Sequence, residues 1–309
     1  MDKRISAVIC TYNRADYLGK AIQSLVDQSL DKDQYEIIIV NNRSTDNTED
    51  VVCKDFAHVT NLRYFYEPIQ GLSQARNTGT DKSQGKYVAF LDDDAIACDE
   101  WLERIVNAFE NSELPLGSVG GKIDPIWEIP RPTWLSDEVL LLLTVLDWFD
   151  KPTILEPQYW LAGANIAFPK FLLNEMGGFQ VELGRKGNNL LSNEETVMRE
   201  DIERAGYKCL YDPEIYVQHH VPAERVNKKW FMRRRLWGGI SQAVLERQQQ
   251  NLERLACLRR AGRELLQLIL APGQVVRFIL PTNNPIYFTR KCAVMSKFGY
   301  IVGLLGLKG

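Results

Sequence analysis

Three consecutive carboxylates, Asp92, Asp93 and Asp94, follow a short apolar run from Tyr87 to Leu91. The run has the length of a strand and no polar alternation, which is typical of a strand covered on both faces of a sheet. Adjacent carboxylates at the end of such a strand repel one another unless a cation or a set of hydrogen-bond donors compensates their charge. The cluster therefore predicts a site for a divalent cation that carries phosphate groups.

The composition sets the outer bounds. The chain has 309 residues, of which 45% are hydrophobic and 25% charged, and this predicts one large α/β domain with an appendage. Its 37 Lys and Arg residues against 40 Asp and Glu residues give a net charge of -3, which does not suggest a nucleic-acid partner. The six cysteines form no CxxC pair, which argues against a zinc ribbon or a redox motif. The first twenty residues lack the pattern of a secretory signal, so we expect a cytoplasmic protein.

The elements that must position the acidic cluster alternate along the N-terminal half. Strand-like runs at Ile5–Cys10, Glu36–Val40, Leu62–Tyr66 and Tyr87–Leu91 are each followed by a loop and a helical pattern. This alternation predicts a largely parallel, doubly wound sheet. Ligands of such sheets bind outside the carboxyl ends of the strands, where the polar loops after the first, second and fourth runs lie.

The second half of the chain is less regular. Residues 124–157 are rich in proline and predict a loop-and-helix insertion beside the site. Tyr159–Phe168 is interpreted as a strand interrupted at Gly163. A helix is predicted after Asn193, and two further short strands are predicted at Lys208–Tyr211 and Ile215–His219.

Five segments in this order resemble the family 2 glycosyltransferases of the GT-A fold. They are the strand ending in Thr11-Tyr12-Asn13-Arg14, then EIIIVNNRSTDNT, GLSQARNTG and FLDDDA, and a downstream set of GAN, GGF, EET and His219. The likeness spans roughly Ile5 to Gly239 and is closest to the bacterial polysaccharide-biosynthesis type. It implies a GT-A domain over residues 1–225, with a doubly wound, mostly parallel α/β sheet, followed by a C-terminal helical extension over residues 226–309.

The resemblance also implies a reaction. A sugar would move from a nucleotide-diphosphate-sugar, expected to be UDP-linked, to a saccharide or lipid-linked saccharide acceptor, with inversion at the anomeric carbon. A divalent cation, Mn²⁺ or Mg²⁺, would stabilise the leaving diphosphate. In this alignment Asp94 binds the metal, Asp92 faces the ribose or the metal, and Asp93 flanks the site. The alternative is a solvated acidic turn that caps the next helix.

Glu194 and Glu195 align with a Glu-Asp pair of the family, whose second carboxylate takes the proton of the acceptor hydroxyl. We therefore predict Glu195 as the catalytic base. Position 195 has Glu where the family has Asp, and its side chain is one methylene longer. Glu194 therefore remains an alternative candidate for the base. Alternatively, both acids only favour a helix N-terminus through the helix dipole.

His219 fits the position of a family histidine that ligates the metal or the diphosphate, although a histidine is more often packed or solvated. Arg76 fits a contact with the diphosphate, or else a surface position on an amphipathic helix. Asn165, in the segment GAN, fits a contact with sugar hydroxyls or a simple strand bulge. Trp160 is expected to stack on a sugar or to pack in the core.

The resemblance assigns Thr11, Tyr12, Asn13 and Arg14 to binding of the nucleotide-sugar. Asn41 stands where the family commonly has an Asp that bonds the base. An amide offers both a donor and an acceptor, so Asn41 can still bond a base edge, but this departure leaves the identity of the base open. A plain turn is the alternative for this segment.

The residues beyond Pro222 differ in character. KKWFMRRRLWGG places arginines beside aromatic residues, and residues 252–270 form an amphipathic pattern with basic positions. Residues 292–307 are apolar but too short to span a bilayer. The arginines of the first segment are expected to close over a diphosphate, to rest on an anionic surface, or to form a solvated helix face. The C-terminal helices are expected either to make peripheral contact with the inner face of the cell membrane or to pack together, including in a homodimer interface.

Two other functions fit parts of the pattern. A sugar-nucleotide pyrophosphorylase shares the sheet and the metal, but it needs a Gly-rich loop after the first strand, and no glycine precedes Gly19 here. A non-catalytic nucleotide-sugar-binding or carbohydrate-binding relative would keep Asp92 and Asp94 and lose the base. The Glu at position 195 leaves this second alternative open.

Overall fold

The structure is a computed structural model that describes residues 3–187, 190–270, 278 and 280–306. The chain divides into two compact units. The first comprises Met1–Ile126, Thr144–Gly184 and Glu194–His220, and the second comprises Trp127–Leu143, Arg185–Asn193 and Val221–Gly309. The predicted domain division after residue 225 stays a prediction.

A sheet of nine strands among the described residues organises the first unit. The strands are β1 (Ile5–Thr11), β2 (Tyr35–Asn41), β3 (Leu62–Tyr66), β4 (Tyr87–Asp92), β5 (Ala95–Ala97), β6 (Leu116–Trp127), β7 (Thr153–Ile154), β8 (Asn165–Pro169) and β9 (Lys208–Val221). Their order is β3-β2-β1-β4-β8-β6-β9-β5, and β7 also pairs with β9. The first four strands pair in parallel. The pairs of β4 with β8, β6 with β8, and β9 with β5 and β7 are antiparallel.

The helices of the first unit follow the strands as the pattern predicted. They are α1 (Ala15–Val26), α2 (Thr48–Asp50, continued by a π-helical turn over Val51–Asp55), α3 (Leu72–Lys82), α4 (Trp101–Asn111), α5 (Lys170–Glu175) and α6 (Glu194–Arg204). The apolar residues at helical spacing in α1 are buried, as is the whole run that precedes Asp92 in β4. The predicted α/β class with a doubly wound sheet is confirmed, and the sheet becomes mixed beyond β4.

The register of the parallel strands places their polar ends together. Thr11 pairs with Asn41 across β1 and β2, and Cys10 pairs with Asp92 across β1 and β4. The loops that follow these three strands therefore begin at the same edge of the sheet.

Three predicted boundaries were wrong. β8 begins at Asn165 rather than Tyr159, because the chain turns just before it, where the Asn165 amide donates to the Ala162 carbonyl. β9 is one strand rather than two. Two residues after Pro213, which lacks a backbone N–H, the Ile215 carbonyl of β9 accepts a hydrogen bond from the Asn165 side chain. β6 reaches Trp127, into the segment predicted as an insertion.

Within its described residues, the second unit contains 3₁₀ turns at Asp137–Leu143 and Ala223–Arg225 and the long helices α7 (Lys228–Gln249), α8 (Arg254–Ile269) and α9 (Pro285–Leu304). α7 and α9 approach closely at Gly239 and Gly299, where an added Cβ would overlap the backbone of the other helix. The predicted apolar segment 292–307 lies in α9 up to Leu304, and Leu307 lies outside the described residues. No helix in the described part of the chain is both long enough and apolar enough to cross a membrane.

Candidate active site

Two acids at the end of β4 lie beside a histidine of β9. Asp92, Asp94 and His219 each offer one ligand atom, and these atoms lie within 4.8 Å of one another. The pairing of β5 with β9 sets Ala95 opposite His219, so the turn after Asp92 brings Asp94 to the imidazole. His219 Nε2 lies 3.1 Å from Asp94 Oδ1, and both side chains are buried. The predicted grouping of Asp92, Asp94 and His219 is therefore present.

The donor set of this group fits a divalent cation. Two carboxylates and an imidazole are ligand types that first-row divalent metals accept. His219 Nδ1 is buried and makes no hydrogen bond to any described residue, which is costly for a polar atom unless something else engages it. The three residues thus form a candidate cation site.

Arg14, just before α1, compensates part of the acidic charge. Its Nη1 donates to Asp94 Oδ2 at 2.6 Å. Burial opposes the charge of this guanidinium, but Asp94, Asp93 and Asp92 outweigh it and raise the pKa of Arg14. Arg14 therefore stays positive and fixes one oxygen of Asp94, while His219 faces the other.

Asp93 differs electrostatically from an ordinary surface acid. Burial and the charge of Asp94 together raise the pKa of Asp93 from 3.8 to about 7, against the opposing effect of Arg14. Three acids in one turn repel one another. The nearby arginine offsets part of this repulsion, and the raised pKa of one carboxyl group reflects the remainder.

A second charged group links α3 to the first turn of α6. Arg76 Nη1 donates to Glu195 Oε1 at 2.8 Å and to Glu194 Oε1 at 3.2 Å. The guanidinium also lies over the rings of Phe90 and Phe179, 5.8 Å and 5.4 Å from their centroids. Arg76 is thus fixed by two carboxylates and two aromatic faces.

The charge of Arg76 is affected by the acids of α6 and by an acid at the end of β4. Burial disfavours the charge of Arg76, but Glu195 and Glu194, followed by Asp92, raise the pKa of Arg76 far above its ordinary value. The predicted contact of Arg76 with a diphosphate stays a prediction. In the structure its partners are the two acids of α6, a pairing that the sequence analysis did not anticipate.

Exposure distinguishes the two candidate bases. The side chain of Glu194 is 2% exposed and that of Glu195 is 22% exposed. Glu195 is therefore the more accessible carboxylate of the pair, and its predicted role as a base stays a prediction. Gly163 packs directly against this pair, and an added Cβ there would overlap Arg76 Nη2 and Glu195 Oε1.

Side-chain amides tie together the loops after β1 and β2. Asn41 donates to the Tyr64 hydroxyl at 2.9 Å and accepts from the Ser44 amide at 2.8 Å. Asn13, which has a positive φ of 52°, accepts from the Thr45 amide at 2.7 Å. Both amides hold the loops in place, and their predicted contacts with a nucleotide-sugar stay predictions. Thr11 is buried at the end of β1, whereas the neighbouring Tyr12 is 43% exposed.

Asn42 has a structural role that the sequence analysis missed. Its amide nitrogen donates to the Ile69 carbonyl at 2.8 Å, and its oxygen accepts from the Gly71 amide at 2.8 Å. These bonds fix the chain where it enters α3, the helix of Arg76. The only signal in the sequence was the doubled Asn after an apolar strand.

The side chain of Asn165 is fully buried in the first unit. Its oxygen accepts from Trp101 Nε1 at 2.8 Å, and its nitrogen donates to the carbonyls of Lys122 at 3.1 Å and Ile215 at 2.7 Å. The whole amide is used to join β8, α4, β6 and β9, and its predicted contact with sugar hydroxyls stays a prediction. Trp160 is 39% exposed and packs against Trp148, with ring centroids 4.9 Å apart.

Comparison with known proteins identifies relatives of this chain. The family profile described as Glycosyl transferase family 2 matches residues 6–174. The glucosyl-dolichyl phosphate glucuronosyltransferase of Haloferax volcanii is 27% identical over 247 residues, which cover 79% of this chain and 77% of that protein. The poly(ribitol-phosphate) beta-N-acetylglucosaminyltransferase TarP of Staphylococcus aureus is 29% identical over 164 residues, which cover 49% of this chain and 50% of that protein.

A solved structure shares the architecture. The mannosyltransferase PcManGT from Pyrobaculum calidifontis, solved in complex with GDP-Man and Mn²⁺, matches with a TM-score of 0.64 at 19% identity. The match covers 100% of this chain and 89% of that one. At this identity the likeness concerns the fold.

Proposed function

Because this chain belongs to glycosyltransferase family 2 and is a glycosyltransferase of the GT-A fold, we propose that it is an inverting, metal-dependent enzyme. The proposed donor is a nucleotide-diphosphate-sugar, with UDP as the first candidate nucleotide. The proposed acceptor is a hydroxyl of a saccharide or lipid-linked saccharide. The Haloferax relative, whose name states a glucosyl-dolichyl phosphate acceptor, supports the lipid-linked choice.

The observation that carries the proposal is the proximity of two charged groups with different chemistry. One group, Asp92, Asp94 and His219, fits a cation. The other, Arg76 with Glu194 and Glu195, fits a base held in position by an arginine. Arg76 lies over the ring of Phe90, 5.8 Å from its centroid. Phe90 and Asp92 are two residues apart in β4 and therefore belong to the same face of the sheet, which supports a role of both groups at one substrate.

Asp92, Asp94 and His219 are the residues that would hold Mn²⁺ or Mg²⁺. When bound, such a cation stabilises the negative charge that develops on a leaving diphosphate. Arg14 orients Asp94 through its 2.6 Å hydrogen bond. It also supplies a fixed positive charge beside the acids.

Glu195 is proposed as the base that takes the proton from the acceptor hydroxyl. The hydroxyl oxygen then forms a bond to the anomeric carbon on the face opposite the diphosphate. The bond from that carbon to the diphosphate oxygen breaks, and its electron pair leaves with the nucleotide diphosphate. Arg76 fixes the orientation of Glu195 through a hydrogen bond, while buried Glu194 accepts a second hydrogen bond from the same arginine.

Turnover of a panel of nucleotide-sugars tests this proposal. UDP-, GDP-, CDP- and dTDP-sugars would be incubated with Mn²⁺ or Mg²⁺, with and without polyprenyl-phosphate-linked saccharides, while release of nucleoside diphosphate is followed. Proton NMR of the product reports the anomeric configuration. We expect acceptor-dependent release and an inverted product. Retention of configuration, or full turnover in the presence of EDTA, would contradict the proposed mechanism.

A binding measurement distinguishes the proposed enzyme from the non-catalytic binding relative. A thermal-shift screen with nucleoside diphosphates and Mn²⁺ detects binding through the rise in unfolding temperature that a ligand causes. Binding without turnover of any donor, in the wild type as in Glu195→Gln, would favour the binding relative. Formation of nucleotide-sugar from sugar phosphate and nucleoside triphosphate would favour the pyrophosphorylase.

A further inference from the structure

Helix α8 carries an apolar face that is exposed to solvent. At 100° per residue, six large apolar side chains fall within an arc of about 140°. Their exposed fractions range from 47% to 74%. Five of them lie in the helix, and the sixth is the residue that caps its C-terminal end: Leu255, Leu258, Leu265, Leu266, Ile269 and Leu270. A different side of the helix is packed, through Cys257, Ala261 and Leu268. A helix of a water-exposed surface normally directs such a stripe inward, so this face requires another explanation.

The charged residues of α8 also differ between its exposed arc and its packed side. Arg254 lies at one edge of the apolar arc, and Arg259 and Arg263 lie at the other, all three exposed. The one acid of the helix, Glu264, is partly buried on the packed side and pairs with Lys297 of α9 at 3.3 Å. Arg260, also on that side, pairs with Glu246 of α7 at 3.1 Å. The exposed arc is therefore apolar at its centre and positive along both edges.

This distribution of charge selects the partner. A second copy of the same face would bring Arg259 and Arg263 towards like charges with no acid on the arc to neutralise them. An anionic lipid surface accepts leucines at the boundary of the acyl chains and arginines among the headgroups. We infer that α8 lies in the plane of an anionic bilayer surface and attaches the protein to it.

The inference goes beyond the proposed reaction and does not depend on the identity of donor or acceptor. It assigns to α8 a mode of attachment that needs no spanning segment. A protein attached in this way would meet lipid-linked acceptors in two dimensions rather than in bulk water.

Sedimentation of the full chain with lipid vesicles tests the inference. Sucrose-loaded vesicles of phosphatidylcholine would be compared with vesicles in which part of that lipid is replaced by phosphatidylglycerol. We expect the protein to pellet with the anionic vesicles, to stay in solution with the neutral ones, and to be released by high salt. A basic side chain near an anionic surface contributes about a fivefold factor to the partition coefficient. The double variant Arg259→Glu/Arg263→Glu should therefore bind at least roughly tenfold more weakly.

A second variant tests the apolar part of the face, and a third is the charge-matched control. Leu258→Ser/Leu265→Ser removes two exposed leucines without touching the packed side and should also lower binding at least roughly tenfold. Lys20→Glu/Lys32→Glu makes the same change of net charge at exposed positions of the first unit and should bind within about twofold of the wild type. Circular dichroism checks that each variant is folded.

Three outcomes would overturn the inference. The first is that the wild type stays in solution with anionic vesicles. The second is that both α8 variants pellet as the wild type does. The third is that Lys20→Glu/Lys32→Glu loses as much binding as the α8 variants. A dimer in analytical ultracentrifugation that Leu258→Ser/Leu265→Ser converts to monomer, without lipid binding, would assign the face to a second copy instead.

Discussion

Arg76 donates to Glu195 across 2.8 Å and thereby joins α3 to the first turn of α6. The same nitrogen reaches Glu194 at 3.2 Å, so one buried cation holds two adjacent carboxylates. The cost of removing a buried guanidinium from water is offset only while both partners remain. The base that we propose is consequently part of the folded core as well as of the active site.

Removal of Arg76 should destabilise the protein strongly. Arg76→Met leaves the nearly inaccessible carboxylate of Glu194 without its arginine, and loss of one partner of a buried ion pair costs about 3–5 kcal/mol. The free energy of unfolding in urea measures this. Arg204→Met is the matched control, because Arg204 pairs with Asp201 on the surface and should contribute less than about 1 kcal/mol. Equal losses in both variants would show that the buried pair has no special role.

Glu195→Gln should abolish most of the turnover while nucleotide binding persists. The amide keeps the shape of the side chain and can still bond Arg76, but it cannot take a proton, and general-base catalysis is worth about 10²–10⁴ in rate. Glu194→Gln should reduce kcat less, because the acceptor cannot reach this buried side chain. Steady-state kinetics with the best donor and acceptor measure both. A larger loss in Glu194→Gln would move the base to position 194.

Mn²⁺ should bind to the purified chain through the three grouped residues. Asp94→Asn removes the negative charge of one ligand of the candidate site, and His219→Asn removes its imidazole. We expect the affinity to fall at least roughly tenfold in isothermal titration calorimetry in each variant. Asp150→Asn, at an exposed position away from the cluster, is the control and should bind as the wild type does. Unchanged affinity in Asp94→Asn would place the cation elsewhere.

Much of this arrangement could be predicted from the sequence because local patterns encode it. The apolar run of β4 and its three acids were visible directly, and repeated strand-helix units predicted the parallel half of the sheet. A helix after Asn193 was predicted from the acids that open a helical pattern, and α6 begins at Glu194. Each of these features depends on residues that are neighbours in the chain.

The partners of Arg76 and Asn165 could not be predicted in the same way. Arg76 and Glu194 are 118 residues apart, and no local pattern links them. Asn165 is a polar residue in an apolar strand, for which the sequence suggested a contact with sugar hydroxyls or a strand bulge. Its hydrogen bonds connect elements that meet only in the folded sheet. For α8 the pattern was recognised as amphipathic, but only the structure distinguishes its packed side from its exposed side.

Asn165→Leu should cost stability more than substrate binding. The substitution leaves Trp101 Nε1 and two backbone carbonyls without their hydrogen bonds in the core, each at a cost of about 1–3 kcal/mol. We therefore expect the free energy of unfolding to fall by at least about 3 kcal/mol. A variant with wild-type stability and a raised KM for the donor would support the sugar contact predicted from the sequence.

Gly163→Ala should disturb the base without changing any charged residue. An added Cβ would overlap Arg76 Nη2 and Glu195 Oε1, so one of the two side chains must move. A small displacement of a catalytic group can cost up to about 10² in rate, and we expect kcat to fall at least roughly tenfold. The matched control is Gly238→Ala in α7, where the added Cβ would meet no atom of the described residues within 4 Å, apart from its chain neighbours and the backbone of its own helix. That substitution should leave kcat unchanged and stabilise the helix by roughly 0.5–1 kcal/mol.

A third variant separates displacement of the arginine from a general effect of the methyl group. In an Arg76→Lys background the side chain lacks the Nη2 atom that the new methyl group would overlap. If the loss in Gly163→Ala arises from Arg76, the same substitution should reduce kcat by a smaller factor in that background than in the wild type. Equal factors in both backgrounds would assign the effect to Glu195 alone, since the methyl group would then displace the base whichever cation holds it.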